Sequence, residues 1–414
     1  MSKPKSLGRC FRSVLLASME TCGPHSECGI RCALSLPFPQ PLTGVSHGQR
    51  VGDARASCAR SIGVVPADLR KSSFSGGGMQ KLLTWSILVF ALTAAPVQAH
   101  DGRVNVVVWD RYFNPTHPSL HVPGNGTIGE SLALEPHGTT TQTSTHGRDV
   151  TLTIVRARPF VTVFPVYDLF PWQDPEICLL VPHPAFAGKL PACRQAAEEG
   201  MERLNRFIKQ HHIRLVNISH GTYYPRYIQQ NPALLKNAFP EVSQEHIDAM
   251  LWQNFLAIGD IFEIVVKANP EVLFVVAAGS NYNGDIDTHP AWYGNLSKKY
   301  DNVFTVTSTF DDRIVENAIN WGKESVDVVI NVSGHRVPRD AGEPAFFTGS
   351  SAAVAVAVGM FSAAIQQFGN RLTLTPALLK SVGRTVAAEH TTHPYFRDKV
   401  VSGGSSESRS CWRT

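Results

Sequence analysis

The chain has 414 residues, 43% hydrophobic and 17% charged. That composition fits a water-soluble globular protein and excludes a disordered or membrane-embedded one. The formal net charge of +4 is unevenly spread: residues 1–78 carry ten Lys/Arg against four Asp/Glu, whereas residues 100–414 carry a net −3. The latter part has no basic block, which excludes nucleic-acid binding through an electrostatic footprint.

The first 99 residues read as a segment outside the fold. Residues 1–78 are rich in Ser, Gly, Cys and Arg and show no sustained helix or strand period. Cys22, Cys28 and Cys32 have no His/Cys pair following at zinc-finger spacing. Residues 79–99 run from a cationic start at Lys81 through an apolar stretch to Val97-Gln98-Ala99, a small-x-small cleavage pattern. This is the build of a secretory signal peptide, too short for a comfortable bilayer span. The simplest account is that translation starts at Met79, with residues 1–78 an upstream extension; the alternative is a genuine long leader. The expected destination is secreted or periplasmic, with no stable membrane insertion after cleavage.

From residue 100 to about 400, short β-branched runs alternate with helical stretches. Strands are predicted at 104–109 (VNVVVW), 160–169, 213–219, 271–278, 302–308 and 326–332. Helices are predicted at 196–211, at 243–267 with Ser243 as N-cap, and at 350–368, an Ala/Val-rich run. Continuous apolar strands separated by helices argue for an α/β fold with a mostly parallel sheet covered on both faces. Cys178 and Cys193 bracket a Pro-rich loop and are expected to form a disulfide in an oxidising compartment. Cys411 is left over in a Ser/Gly-rich tail, 401–414, that is expected to be disordered.

Three residues carry the types and positions that nucleophilic catalysis needs. A serine nucleophile requires a base, and the base requires a carboxylate to hold its tautomer and stabilise the imidazolium. Asp110 follows the apolar strand 104–109, where a functional carboxylate and a simple turn or cap residue are equally natural. His146 lies in STHGRDVTLTI, where Gly147 permits a tight turn and Val150 and Ile154 mark the buried face of a following helix. His137, in PHGTTT, is the rival and lacks that stripe. Ser351 lies in TGSSAAVAVAVG, whose small residues let a helix N-terminus approach the sheet and leave a hydroxyl exposed; the plain reading is a tightly packed buried helix start.

In this order the motifs resemble the subtilisin-like serine peptidases (subtilases), as a divergent member. VVVWDRYFNPTHPSL resembles that family's strand followed by D-[ST]-G-x-x-x-x-H-P-x-L, with Asp110, His117 and Pro118 in register. STHGRDVTLTI resembles its [ST]-H-G-T-x-V-x-x-x-I, and VNISHG (216–221) its V-I-N-x-S-x-G. FVVAAGSN (274–281) resembles its V-V-A-A-G-N, and TGSSAAVAVAVG its G-T-S-x-A-x-P-x-V-A-G, with Gly349, Ser351 and Gly359 in register. The resemblance implies a three-layer subtilisin-like domain over residues 100–400. It implies Asp110, His146 and Ser351 as the triad, Asn281 or Ser280 as oxyanion donor, and Ser219, Gly221 and Gly279 as peptide-binding positions. The chain departs from the pattern at Tyr112 (Gly in the family), Arg148 (Thr), Ala355 (Pro) and Ser280 (Asn).

The implied function is a secreted serine endopeptidase acting on peptide or protein substrates. The departures motivate an alternative, a weak or inactive subtilisin-fold protein that binds peptides or a partner. An esterase with a G-x-S-x-G elbow is disfavoured by Ala353. No cofactor is required. Structural calcium is a possibility of the family without support here: Asp285 and Asp287 do not fit the EF-hand spacing and read as a solvated turn.

Overall fold

The computed structural model describes residues 102–110, 113–121, 126–134, 145–157, 160–167, 178–221, 224–279, 283–310, 319–333, 335–338, 343–369, 373–390, 399–401 and 405–407. The signal-peptide segment 79–99, the extension 1–78, His137, Tyr112, Ser280, Asn281 and Cys411 lie outside the described residues.

The strands are β1 (Val104–Asp110), β2 (Thr127–Ile128), β3 (Leu132–Ala133), β4 (Val161–Tyr167), β5 (Leu215–Ile218), β6 (Leu273–Ala277), β7 (Val303–Thr309), β8 (Val328–Asn331), β9 (Arg336–Val337), β10 (Ala345–Phe346) and β11 (Ser405–Glu407). The α-helices are α1 (His146–Ala157), α2 (Arg194–Gln210), α3 (Tyr224–Ala238), α4 (Gln244–Ala268), α5 (Gly349–Phe368) and α6 (Pro376–His390). One sheet runs β11-β8-β7-β6-β5-β1-β4-β2, with β3 also on β4, and every pairing in it is parallel. β9 and β10 form a separate antiparallel pair. The fold class is therefore α/β with a parallel central sheet, as the alternation of apolar runs and helices predicts.

Alternate residues of each strand divide between two cores. Val106 and Val108 of β1 join Val275 of β6 in a core shared with α1, α5 and α6. Val107 and Trp109 join Phe274 and Val276 in a core shared with α2 and α4. Strands covered on both faces are mostly apolar, which is why VNVVVW, interrupted only at Asn105, and LFVVA read as near-continuous runs. α2 shows the complementary helical stripe, with Ala197, Gly200, Met201, Leu204, Phe207 and Ile208 buried. α4 and α5 are long and apolar enough to cross a membrane, but each is largely buried within the described structure. α5 is buried nearly all round because its Ala and Val side chains let it lie close against α1, β5, β6 and β7.

Pro165 sits inside β4, where a missing N–H normally breaks a ladder. The carbonyls of Val163 and Tyr167 face β2 and β3, accepting from Gly129 at 2.8 Å and Leu134 at 3.1 Å. Strand alternation turns Pro165 to the same side. Its absent donor thus falls at the break between β2, which pairs with Thr162 and Val163, and β3, which pairs with Val166 and Tyr167.

Local predictions hold where the signal is local. Ser243 caps α4, accepting from the His246 N–H at 3.3 Å. Cys178 and Cys193 are disulfide-bonded, with Cα atoms 5.8 Å apart. One expectation needs correction, and one element went unpredicted. The tail is not structureless throughout: Ser405–Glu407 adds to the sheet edge beside β8. An edge strand can be recruited through backbone hydrogen bonds alone, so a Ser/Gly composition conceals it. α3 was not predicted; it carries Pro232, a residue disfavoured in helix interiors, and packs on α4.

Candidate active site

Chain order places the site. From β1 the chain crosses through α1 to β4 on one side, then returns through α2 to β5 on the other side of β1, and continues outward to β6, β7 and β8. The direction of winding reverses between β1 and β5, and ligands in open α/β sheets bind at the carboxyl ends of the strands flanking such a reversal. Asp110 is the last residue of β1, and Ser219 follows the last residue of β5.

Asp110 is 1% exposed, and its Oδ2 lies 2.6 Å from Nδ1 of His146, the first residue of α1. A carboxylate can only accept, so Nδ1 carries the proton and donates, leaving Nε2 as the basic nitrogen. Burial pulls the His146 pKa down, but the charge and hydrogen bond of Asp110, with a smaller contribution from Asp149, outweigh it and raise the pKa above the ordinary histidine value. Behind the pair, Gly147 packs against Phe113 so closely that a Cβ there would meet that ring at 2.5 Å. Val150 and Ile154 bury the inner face of α1. Arg148 is also buried, and its Nε and Nη2 donate to Asp149 Oδ1 at 2.9 and 2.7 Å. His117 bonds its neighbour Ser119 at 2.8 Å.

Ser351 lies in the first turn of α5, after an extended Thr348 and a left-handed Gly349 at φ +84°. Its Oγ donates to the main-chain carbonyl of Ser219 at 2.8 Å. A hydroxyl has one proton, so in this state the proton is given to the strand and not to His146. Ser219 Oγ in turn gives its one proton to Asn217 Oδ1 at 2.7 Å, with the Ser351 carbonyl as the longer alternative acceptor at 3.4 Å. The Ser351 hydroxyl thus ties the candidate nucleophile to the end of β5. Gly221 lies beside β6, where a Cβ would meet only the Ala277 carbonyl, at 3.9 Å.

The third strip of the site is the loop after β6. Gly279 has φ +89°. Asn320, absent from every motif, closes this loop. Its Nδ2 donates to the Ala278 carbonyl at 3.0 Å, its Oδ1 accepts from the Gly284 N–H at 3.3 Å, and its own N–H donates to the Gly279 carbonyl at 3.2 Å. His220 was also missed: its Nδ1 lies 3.2 Å from the Trp109 carbonyl, tying the ends of β1 and β5 together. Neither has a sequence signal, since each acts on a partner far away in the chain. The candidate oxyanion donors Ser280 and Asn281 follow Gly279 and lie outside the described residues.

Asp285 and Asp287 are engaged by the protein's own donors. Asp285 accepts from the Asp287 N–H and the Thr288 hydroxyl, and Asp287 from the Glu324 N–H, at 2.7–3.0 Å. Among the described residues no group of three or more potential ligand side chains gathers anywhere.

No protein-family model matches the chain, and no curated protein does so. Several solved structures are similar to it. One is the prenylagaramide maturation protease PagA, at 15% identity over 77% of this chain and 90% of that one, TM-score 0.42. Another is the subtilase cytotoxin SubAB, at 15% over 75% and 88%, TM-score 0.43. A third is a lanthipeptide protease, at 14% over 80% and 91%, TM-score 0.44. At such scores the likeness decides nothing about chemistry, which rests on this chain's own residues.

Proposed function

We propose that this chain is a serine peptidase of subtilisin-like build, with Ser351 as nucleophile, His146 as general base and Asp110 as the carboxylate that orients it. The observation that carries this reading is the 2.6 Å Asp110–His146 hydrogen bond at the winding reversal of the sheet. An Asp-His pair with Nδ1 held by the carboxylate and Nε2 as the basic nitrogen, together with a serine at a helix start, is the apparatus that acyl transfer needs. A turn about the Ser351 Cα–Cβ bond moves its proton from the Ser219 carbonyl toward His146, and such bonds commonly tighten only when substrate arrives. His146 then takes the proton as Oγ attacks the scissile carbonyl, and returns it to the leaving amine. Gly279 and the segment that leaves β5 at Ser219 and Gly221 would supply backbone to an extended peptide. Asn281 or Ser280 donates to the oxyanion. The signal-like segment 79–99 supports a secreted or periplasmic setting.

One observation favours a second reading. With its hydroxyl committed to Ser219, Ser351 can also serve as a strut in a protein that binds peptides without cutting them. Incubation of the purified protein with a fluorogenic peptide library separates the two. Cleavage that disappears in Ser351→Ala supports the peptidase, whereas saturable peptide binding without cleavage supports the binding module.

A further inference from the structure

The Asp110 hydrogen bond sets where Nδ1 of His146 points. A bond at one ring atom does not by itself set the rotation of the ring about the Nδ1···Oδ2 line, which what packs on the ring must fix. Phe347 packs on it. Its ring centroid is 5.7 Å from that of His146 at an interplanar angle of 73°, an edge-to-face contact. Phe347 is only 8% exposed.

Phe347 is held in turn by His335. The Phe347 N–H donates to the His335 carbonyl at 3.1 Å, and the two rings lie 6.4 Å apart. His335 is anchored to the helix that carries His146. Thr153 gives its hydroxyl proton to the Asp149 carbonyl at 2.7 Å, so at 2.9 Å it accepts from His335 Nε2. Burial, aided by the Arg156 charge, drives the His335 pKa down to about 4, which keeps this imidazole neutral near pH 7. Thr153 lies two turns along α1 from His146, on the same face. The contacts close a circuit from His146 to Phe347, His335, Thr153 and back along α1. The same segment leads directly into α5 and Ser351.

We propose that Phe347 is a positioning residue that holds the His146 ring in its working orientation, and that His335 holds Phe347 there through Thr153. Neither touches the reacting atoms. The role rests on the reading of His146 as general base, but the geometry of the ring can be measured without turnover.

The test uses the full chain and two readouts: the low-field proton resonance of the His146 Nδ1–H, and kcat and KM on a cleaved peptide. Phe347→Ala removes the wall, and Phe347→Leu removes the ring while keeping the apolar volume that supports the fold. His335→Ala cuts the anchor, and His335→Gln restores an N–H donor toward Thr153. The expected result is a broadened resonance in both Phe347 variants and in His335→Ala, recovered in His335→Gln. kcat should fall about tenfold with KM within about twofold, since misplacement of a catalytic group acts on the reacting geometry. A sharp, unshifted resonance in folded Phe347→Leu would overturn the proposal. A wild-type protein that shows the resonance but no turnover would overturn the peptidase reading and leave the positioning claim to be decided by the spectra.

Discussion

Replacing Gly279 by Ala probes the loop that follows β6 at its tightest point. The residue has φ +89°, and a Cβ there would lie 2.8 Å from Asn320 Nδ2. The end of a flexible side chain would move aside at little cost, but Asn320 is fully buried and its amide is bonded at both ends, to Ala278 and Gly284. Holding a non-glycine residue in the left-handed region costs about 1–2 kcal/mol. Displacing Asn320 adds about 1–3 kcal/mol for a buried hydrogen bond left unmade. The total expected loss is about 2–5 kcal/mol. Urea unfolding of the wild type, Gly279→Ala, Asn320→Ala and the double variant forms a cycle that isolates the clash. With Asn320 shortened, the added methyl has space, so Gly279→Ala should then cost only its backbone strain, leaving a coupling of about 1–3 kcal/mol. Costs that simply add, or a Gly279→Ala loss below about 1 kcal/mol, would refute the claim that Asn320 clasps this loop.

Four further outcomes are expected. Asp110→Asn removes the charge that raises His146, so the acid limb of the pH–rate profile should move to lower pH, while the rate falls by about 10³–10⁴ through loss of the correct tautomer. The stability sign follows from the same raised pKa: the pair's contribution is complete below the unfolded histidine value of 6.5 and is lost as pH rises through the higher folded value, which unfolding midpoints measured against pH will show. Asp327→Ala should destabilise the fold by about 3–5 kcal/mol in denaturant titration, because the carboxylate is fully buried and serves Arg384, Ser297 and the Thr305 N–H together. Replacing Cys178 and Cys193 by Ser should cost about 3 kcal/mol, read as a lower thermal midpoint that no longer responds to reductant.

Strand and helix positions were legible because their causes are local. Val104–Trp109 is apolar at all but Asn105 since both faces of β1 are covered, and Ser243 stands where α4 needs a cap. Asp110 and His146 stood out as candidates for a related reason: Asp110 is a polar residue closing an apolar run, and His146 opens the helix whose buried stripe begins at Val150. The residues that brace the site were not. Asn320, His220, His335 and Phe347 owe their roles to partners on other elements, and an isolated Asn or His in sequence carries no mark of what the fold brings beside it. The orientation of the Ser351 hydroxyl was equally beyond reach, because it depends on the register between α5 and the end of β5. β11 escaped for lack of any side-chain requirement.

The most direct measurement is reaction of the full chain with a fluorophosphonate, followed by mass mapping of the modified peptide, with Ser351→Ala and His146→Ala alongside. The account predicts one phosphonyl group per chain, on Ser351, formed faster as pH rises through the raised His146 pKa and absent from both variants. Folded wild-type protein that stays unmodified, or labelling that persists in His146→Ala at the wild-type rate, would contradict it.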